Sequence, residues 1–496
     1  MKKNDPPQIL SPEQSTIHPT KKILFLLALV GSIFFVYWKT IGYTFIQDDW
    51  NILYKLHTFG SFEFLRSAWL PASDSFYRPI GAIYMVLLYN IFGINPVGFH
   101  IFALLIHCVN AILITLITLQ FIKEVTVACS VGFLYALSIA VHLDPLMWMV
   151  GAFDLLGALF LFSSILFFLK KKNSLSLISF ILAILTKEAT TILPGILYGI
   201  LITRLEKEKI TFRNLLAQIP KLKYYALALL LFFLIRYQSL NQISDNGENP
   251  YAMSMIGIHV VDNIVNYANW IFEAIIPSIQ NREGTLLLVG IAVIIIIFAF
   301  MNKSISSKKV FALFTWSVVG LLPVIFLHNH SYRYYLTYSY PAFIIMTGIA
   351  IHALFRLTPI TKKLFPLIMV CIVLMNAIFG YKYISDLYKP GKDVPTVQGT
   401  NNLMRKGPII VMIKEFLLTE YPQVPDSAVI IFNWLPTSTF GGETGIRLWY
   451  DNHTLSVYEI QDIIQDSTGM YKKDPNGNKG ATISSDLALI VKYTSW

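Results

Sequence analysis

Long apolar runs, separated by short polar connections rich in Lys and Arg, pattern the chain from about residue 23 to residue 382. A helix that crosses a bilayer needs about 20 apolar residues. Eleven spans are expected, near 23–45, 97–122, 125–141, 146–169, 175–186, 190–203, 223–238, 285–302, 310–327, 335–356 and 364–382. The runs 175–186 and 190–203 are short and read as a hairpin around Thr186-Lys187-Glu188, which puts Lys170-Lys171-Lys172 and Arg204–Lys209 on one side. Pro79 to Phe92 is apolar but only 14 residues long, so it is expected to lie in the outer interface as an amphipathic helix.

Charge placement gives the threading an orientation. Lys2, Lys3, Lys21, Lys22, Lys123, the triple lysine at 170–172, the 204–223 segment, Lys303/Lys308/Lys309 and Arg356/Lys362/Lys363 put 20 positive residues on one side. The opposite connections hold 8: Lys39, Lys55, Arg66, Arg78, Lys187, Arg236, Arg282 and Arg333. The excess marks the cytoplasmic side, so the N-terminus is expected inside and the tail from about Tyr383 outside. Lys21-Lys22 before Ile23 to Tyr37 read as a retained signal anchor, since no small-residue cleavage site follows.

Composition agrees. Of 496 residues 55% are apolar and 14% charged, against about 25% charged in soluble domains. One water-soluble core cannot hide that much apolar surface, and disorder is excluded by the same figures. The net charge of +10 does not point to nucleic acid, because the cations punctuate apolar runs. Cys108, Cys129 and Cys371 all lie within such runs and read as small core residues.

Two regions fall outside the spans. The first outer loop, 43–98, is aromatic and polar and far longer than a connection requires. The tail, 383–496, shows a helical stretch near 405–420, a strand at Ala428–Phe432 and a late strand at Leu487–Val491, a small outer α/β domain. The organisation expected is therefore a cytoplasmic tail 1–22, an all-α transmembrane bundle 23–382 with interfacial helices in its outer loop, and the extracytoplasmic domain 383–496.

Ionisable groups gather at the outer helix ends. Asp48-Asp49 follow the first span; Tyr77-Arg78-Pro79 precede the interfacial helix; His142-Leu143-Asp144-Pro145 sit in a turn; Lys187-Glu188 tip the hairpin; Arg333 lies among tyrosines. In this order, with Phe92-Gly93-Ile94-Asn95-Pro96 to His100, Trp148, Asp154 and Pro194, the chain over roughly 20–360 resembles the GT-C superfamily of membrane glycosyltransferases. The nearest groups are the protein O-mannosyltransferase-like proteins and the eukaryotic O-mannosyltransferases with tetratricopeptide repeats. The tail has no such repeats, so acceptor preference does not carry over.

The resemblance implies transfer of a sugar from a polyprenyl-phosphate donor to an acceptor hydroxyl of a protein, lipid or glycan, on the outer face of a plasma or inner membrane, with inversion. No obligatory metal or other cofactor is expected. Phosphate is already a good leaving group, so the chemistry needs a base at the acceptor hydroxyl and fixed cations at the phosphate. The resemblance favours Asp48 as base, with Asp49 orienting donor or acceptor. Arg78, Arg333 and Lys187 supply cations for the phosphate, and Asp144, His142, Tyr77 and Glu188 position acceptor and sugar.

Plainer readings stand beside these. Arg78 also suits an interfacial anchor, Lys187-Glu188 a tip ion pair, Arg333 an aromatic belt, and Asp154 a buried hydrogen bond between helices. His100 and His107 read as helix-contact residues, and His328 with His330 lacks a third metal ligand. A flippase for lipid-linked sugars would want charges near the midplane and repeated halves; a scaffold would tolerate loss of both aspartates.

Overall fold

The computed structural model describes residues 19–70, 76–206, 210–240, 253–277, 306–328, 330–355, 359–388, 403–433 and 437–492. The chain runs through α1 (Pro19–Tyr37), α2 (Asp48–Trp69), α3 (Pro79–Phe92), α4 (Pro96–Phe121), α5 (Val125–Leu137), α6 (Ile139–Met147), α7 (Ala152–Leu169), α8 (Asn173–Ile184), α9 (Leu193–Thr203), α10 (Phe212–Leu216), α11 (Lys223–Leu240) and α12 (Ile258–Ile275). It continues with α13 (Ser307–Ile325), α14 (Tyr340–Phe355), α15 (Pro359–Leu387), α16 (Leu403–Glu420) and α17 (Thr444–Tyr450).

Among the described residues, six stretches are long and apolar enough to cross a membrane: Pro19–Gly42, Pro96–Phe121, Ala152–Leu169, Phe212–Tyr237, Ser307–Ile325 and Lys363–Leu387. Their outward faces are apolar too. Leu24 and Leu27 on α1, Leu230 and Leu234 on α11, Phe314 on α13, and Leu374 and Ile378 on α15 are all exposed. Large side chains in such continuous bands need lipid around them. This is an integral membrane protein.

Eleven spans had been expected. The runs 175–186, 190–203 and 335–356 instead correspond to shorter apolar helices, Asn173–Ile184, Glu188–Thr203 and Tyr340–Phe355. The expected span 285–302 lies outside the described residues. The run 125–141 is broken: α5 and α6 meet at a bend of 50°. Ser138 occupies the break, its hydroxyl 2.5 Å from the Leu134 carbonyl, 2.9 Å from that of Ala274 and 2.5 Å from the Tyr340 hydroxyl. Polar satisfaction of this kind is what lets backbone deviate from a helix at membrane depth.

Between lipid-facing helices close approach matters more than hydrophobicity, because lipid tails are as apolar as leucine. Along the contact of α9 with α13, a Cβ at Gly195 would lie 2.9 Å from Val319 Cγ1, and one at Gly199 2.9 Å from Thr315 Cβ. No larger residue fits this seam.

The long segment after α1 is helical. Asp48–Trp69 and Pro79–Phe92 make up most of its described residues, the former bent at Gly60, where φ is 78°. On α12, Asn263, Tyr267, Trp270, Ile271 and Ala274 are buried, which is the i, i+4, i+7, i+8, i+11 stripe of one helix face.

The C-terminal region builds two small sheets. β1 (Val429–Asn433) is flanked in parallel by β2 (Ser456–Glu459) and β6 (Ala488–Lys492), while β3 (Ile463–Asp466), β4 (Gly469–Lys473) and β5 (Lys479–Ile483) form an antiparallel meander. Its apolar side is continuous with the bundle core through Phe432, Phe440, Ile446 and Trp50. Trp50 of α2 meets Trp449 of α17 edge to face at 5.6 Å, and the Gln47 N–H donates to the Thr439 carbonyl at 2.9 Å.

Gly441 seals this contact. Its φ is +71°, and a Cβ there would lie 2.9 Å from the Gln47 carbonyl oxygen and 3.1 Å from Trp50 Cβ. Gly441→Val combines a left-handed φ with a backbone clash. It is expected to lower the melting temperature and to speed proteolysis of the C-terminal region; wild-type behaviour in both measurements contradicts this docking.

Candidate functional site

Asp48 and Asp49 form the first turn of α2, where the unsatisfied N–H groups of a helix start favour negative charge. As helix neighbours they face different ways. Asp49 is fully buried. Its Oδ2 accepts from the N–H of Ile46 at 3.0 Å and of Met149 at 3.3 Å, and its Oδ1 from the N–H of Val150 at 3.0 Å. It thereby ties the start of α2 to the turn between α6 and α7. Burial pushes its carboxyl up to about 8 despite those three donors, with the Asp48 charge acting in the same direction.

Asp48 is exposed. Among the described residues it accepts no hydrogen bond, and its nearest cationic influences are Arg78 and Lys406. Loss of hydration in its surroundings raises its carboxyl above the ordinary range, and the two cations pull it back. The residue before it, Gln47, has φ +47° and ψ −119°, a conformation that costs a side-chain-bearing residue about 1–3 kcal/mol. Docking of the C-terminal region holds it there, through the Thr439 carbonyl and the close approach of Gly441.

Arg78, immediately before α3, grips Glu188 through Nε at 2.8 Å and Nη2 at 2.5 Å. Phe76 packs against the guanidinium, 4.2 Å from ring centroid to Cζ. This two-point fork fixes the cation's plane. The charges of Lys187 and Arg236 also act on Glu188.

Lys187 and Glu188 do not pair with each other. Lys187 Nζ donates to Asp154 Oδ2 at 3.0 Å, both residues buried, and the Tyr338 hydroxyl lies 3.3 Å from Asp154 Oδ1. Asp154 therefore serves as the counter-ion that lets a lysine sit inside the protein. Burial lowers His330 to about 4, and the Lys187 charge adds to the effect. His330 is consequently neutral at physiological pH.

The third cation is Arg333, only 3% exposed, with Nη1 2.7 Å from Glu273 Oε1 and its Cζ 5.5 Å from the centroid of Trp270. Its charge reaches Asp144, which is also buried. Next to it, Tyr332 lies within electrostatic reach of both Asp144 and Asp48, and stacks on Tyr334 at 5.4 Å with 16° between the rings. Asp48, Arg78, Glu188, Lys187, Arg333 and Asp144 thus form one connected electrostatic cluster drawn from distant parts of the chain.

Two further expected site residues are buried among aromatic rings. His142 is fully buried, 4.5 Å from the ring of His107 and 4.4 Å from that of Tyr135. Two residues on a helix differ by about 200° in direction, which is why His142 and Asp144 part company. Tyr77 is buried beside Phe232, 6.4 Å between ring centroids. His100 bridges the carbonyls of Leu146 at 2.9 Å and Tyr43 at 3.0 Å, and His107 reaches that of Ala136 at 2.9 Å; both are helix contacts.

Lys406, Glu273 and Arg236 escaped the sequence reading of the site. Arg236 carried a usable signal, a lone cation near the C-terminal end of the apolar run 223–238. Glu273 lies on the amphipathic face of α12, in a segment too polar to read as a span. Lys406 sits in an ordinary Arg-Lys pair of the tail, and nothing local singles it out.

The elevated Asp49 carboxyl makes a prediction with a definite sign. An unfolded aspartate titrates near 3.9, so between about pH 4 and 8 the folded chain holds a proton that the unfolded chain has released. Stability should then fall as pH rises through this window and level off above it. Asp49→Asn cannot titrate: its melting temperature should depend less steeply on pH there, and lie lower throughout, because its amide NH₂ faces backbone N–H groups. An unchanged slope contradicts the assignment. Neither protein-family models nor curated proteins give a match to this chain.

Proposed function

We propose that this membrane protein is a GT-C-type glycosyltransferase that moves a sugar from a polyprenyl-phosphate donor to an acceptor hydroxyl on the outer face of the membrane. The observation that carries the reading is the exposed Asp48 carboxylate, hydrogen-bonded to nothing among the described residues and within electrostatic reach of the cations of Arg78 and Lys406. The ordered series from Asp48-Asp49 through Arg78-Pro79 and Asp144 to Lys187-Glu188 and Arg333 supports it by resemblance. The lysine-rich connections, as marks of a cytoplasmic side, support a position for this cluster on the opposite face.

In this reading the acceptor oxygen attacks the anomeric carbon as its proton passes to an Asp48 oxygen. The bond from anomeric carbon to phosphate oxygen breaks, the configuration inverts, and the electron pair leaves on polyprenyl phosphate. Negative charge grows on that phosphate in the transition state. Fixed cations at a low-dielectric boundary stabilise it without reorganising at the moment of reaction.

The cations divide into two kinds. Arg78, Lys187 and Arg333 are each matched by a carboxylate, Glu188, Asp154 and Glu273. They are rigid, but their charge is largely balanced. Lys406 and Arg236 form no such ion pair among the described residues, so theirs are the cations left to meet the phosphate. Asp49 acts as a positioning residue beneath the base and does not touch substrate. Asp144 and Tyr332, the latter within electrostatic reach of Asp48, border the acceptor.

The test is transfer by the purified protein from a radiolabelled polyprenyl-phosphate sugar. Asp48→Asn should lower kcat at least 100-fold, in line with the roughly 10²–10⁴-fold contribution of a general base, without raising KM for donor. Lys406→Ala should raise the donor KM more than it lowers kcat. A purified wild type that transports the lipid-linked sugar without cleaving it, or an Asp48→Asn variant with wild-type transfer, overturns the reading. The base also sets a pH limit. Because its carboxyl is raised, the acid limb of kcat/KM should lie above the ordinary aspartate value of about 3.9.

A further inference from the structure

The junction of α2 with the C-terminal region carries a cluster that the transferase reading leaves unused. His57 lies on α2, and Asp451 and His453 lie just beyond the end of α17. All three are exposed, and each offers a ligand atom within 4.8 Å of the other two. We propose that His57, Asp451 and His453 form a binding site for a divalent transition metal, Zn²⁺, that clasps the C-terminal region to the helix bearing Asp48.

The hydrogen bonds around the imidazoles prepare them as ligands. His57 Nδ1 lies 3.2 Å from the Tyr89 hydroxyl, and His453 Nδ1 lies 3.3 Å from the Tyr54 hydroxyl. A histidine that donates its Nδ1–H to an outer partner keeps the Nε2 lone pair for a metal. His57 Nε2 points at Asp451 Oδ1 from 3.2 Å. In that tautomer two lone pairs face each other there and a cation between them relieves the repulsion, whereas the other neutral tautomer donates its Nε2–H to Asp451. A proton on His57 would satisfy that pair alone. The third donor, His453, gives the cluster the valence of a metal site.

The spacing suits zinc. Bonds of about 2.0–2.1 Å in a tetrahedron set ligand atoms about 3.3 Å apart, which the His57–Asp451 pair already meets, and exposed side chains close the remainder by small rotations. Two imidazoles and one carboxylate favour zinc over magnesium or calcium, which prefer all-oxygen shells. Asp451 is itself held in a left-handed conformation, φ +49° and ψ +39°, at the end of α17, with its N–H donating to the Arg447 carbonyl. The backbone thus turns sharply to present its side chain toward α2. His57 stands nine residues beyond Asp48, about 13 Å along the helix, so the metal would fasten the scaffold and take no part in transfer.

The experiment uses the full chain in detergent, stripped with EDTA and titrated with Zn²⁺ against a chromophoric chelator. One tight equivalent per chain is expected, unaffected by millimolar Mg²⁺. Asp451→Asn, which tolerates the left-handed backbone, and His453→Ala should each weaken that equivalent at least tenfold. Zn²⁺ should raise the melting temperature of the wild type and leave that of Asp451→Asn unmoved. Absence of the tight equivalent means that His57 and Asp451 form an ion pair only, and overturns the proposal. So does a tight equivalent that all three of His57→Ala, Asp451→Asn and His453→Ala leave intact, since zinc then sits elsewhere. Neither readout depends on sugar transfer, so the two proposals stand or fall separately.

Discussion

Three backbone N–H groups from two segments a hundred residues apart converge on one buried carboxyl group, and the geometry of the candidate site follows from that contact. Asp49 does not take its donors from its own helix, although the first turn leaves N–H groups free. It takes the N–H groups of Met149 and Val150 from the turn ahead of α7 and that of Ile46 from its own loop. The start of α2 is thereby nailed to the bundle. With Asp49 turned inward, the pitch of the helix sends Asp48 the other way, outward toward Arg78 and Lys406. In the proposed reaction the adjacent acidic pair divides its work, Asp49 as anchor and Asp48 as base.

Around that anchor the protein spends carboxylates to keep cations buried. Glu188, Asp154 and Glu273 each accept a basic partner that would otherwise be expensive to desolvate. Every pair joins residues far apart in sequence: Arg78 to Glu188, Lys187 to Asp154, Arg333 to Glu273. The pairs therefore cross-link helix ends as well as shape the field. Removing one member leaves its partner charged and unmatched in a low-dielectric setting, so such variants should suffer in stability as well as in chemistry. The comparison of kcat with KM, and not activity alone, separates those effects.

Much of this was legible in the sequence, for reasons that can be named. Helices such as Pro96–Phe121 and Ala152–Leu169 follow directly from apolar length, since no other unpaired backbone survives in lipid. The strands at 429–433 and 488–492 show as short β-branched runs. Asp48, Arg78, Lys187 and Arg333 stood out because charge is rare in this chain. Less accessible were features that depend on tertiary partners. The break at Ser138 rests on Ala274 and Tyr340, neither of which is near it in sequence. His142 and Asp144 look equivalent on paper, yet one faces the interior and the other the Arg333 cluster. Lys406 becomes relevant only because the tail folds back over α2, a docking that depends on Gly441 and the Trp50–Trp449 contact.

The central claim is that Asp48 and the cations of Arg78 and Lys406 share one anion-binding space. Equilibrium binding of a short polyprenyl phosphate, measured for wild type, Asp48→Asn, Arg78→Ala and the double variant, tests it most directly. Removing the carboxylate should tighten binding of this anion, removing the guanidinium should weaken it, and the double variant should depart from the sum of the two by more than twofold, as expected for charges in mutual contact. Strictly additive effects, or binding indifferent to both residues, would contradict the account.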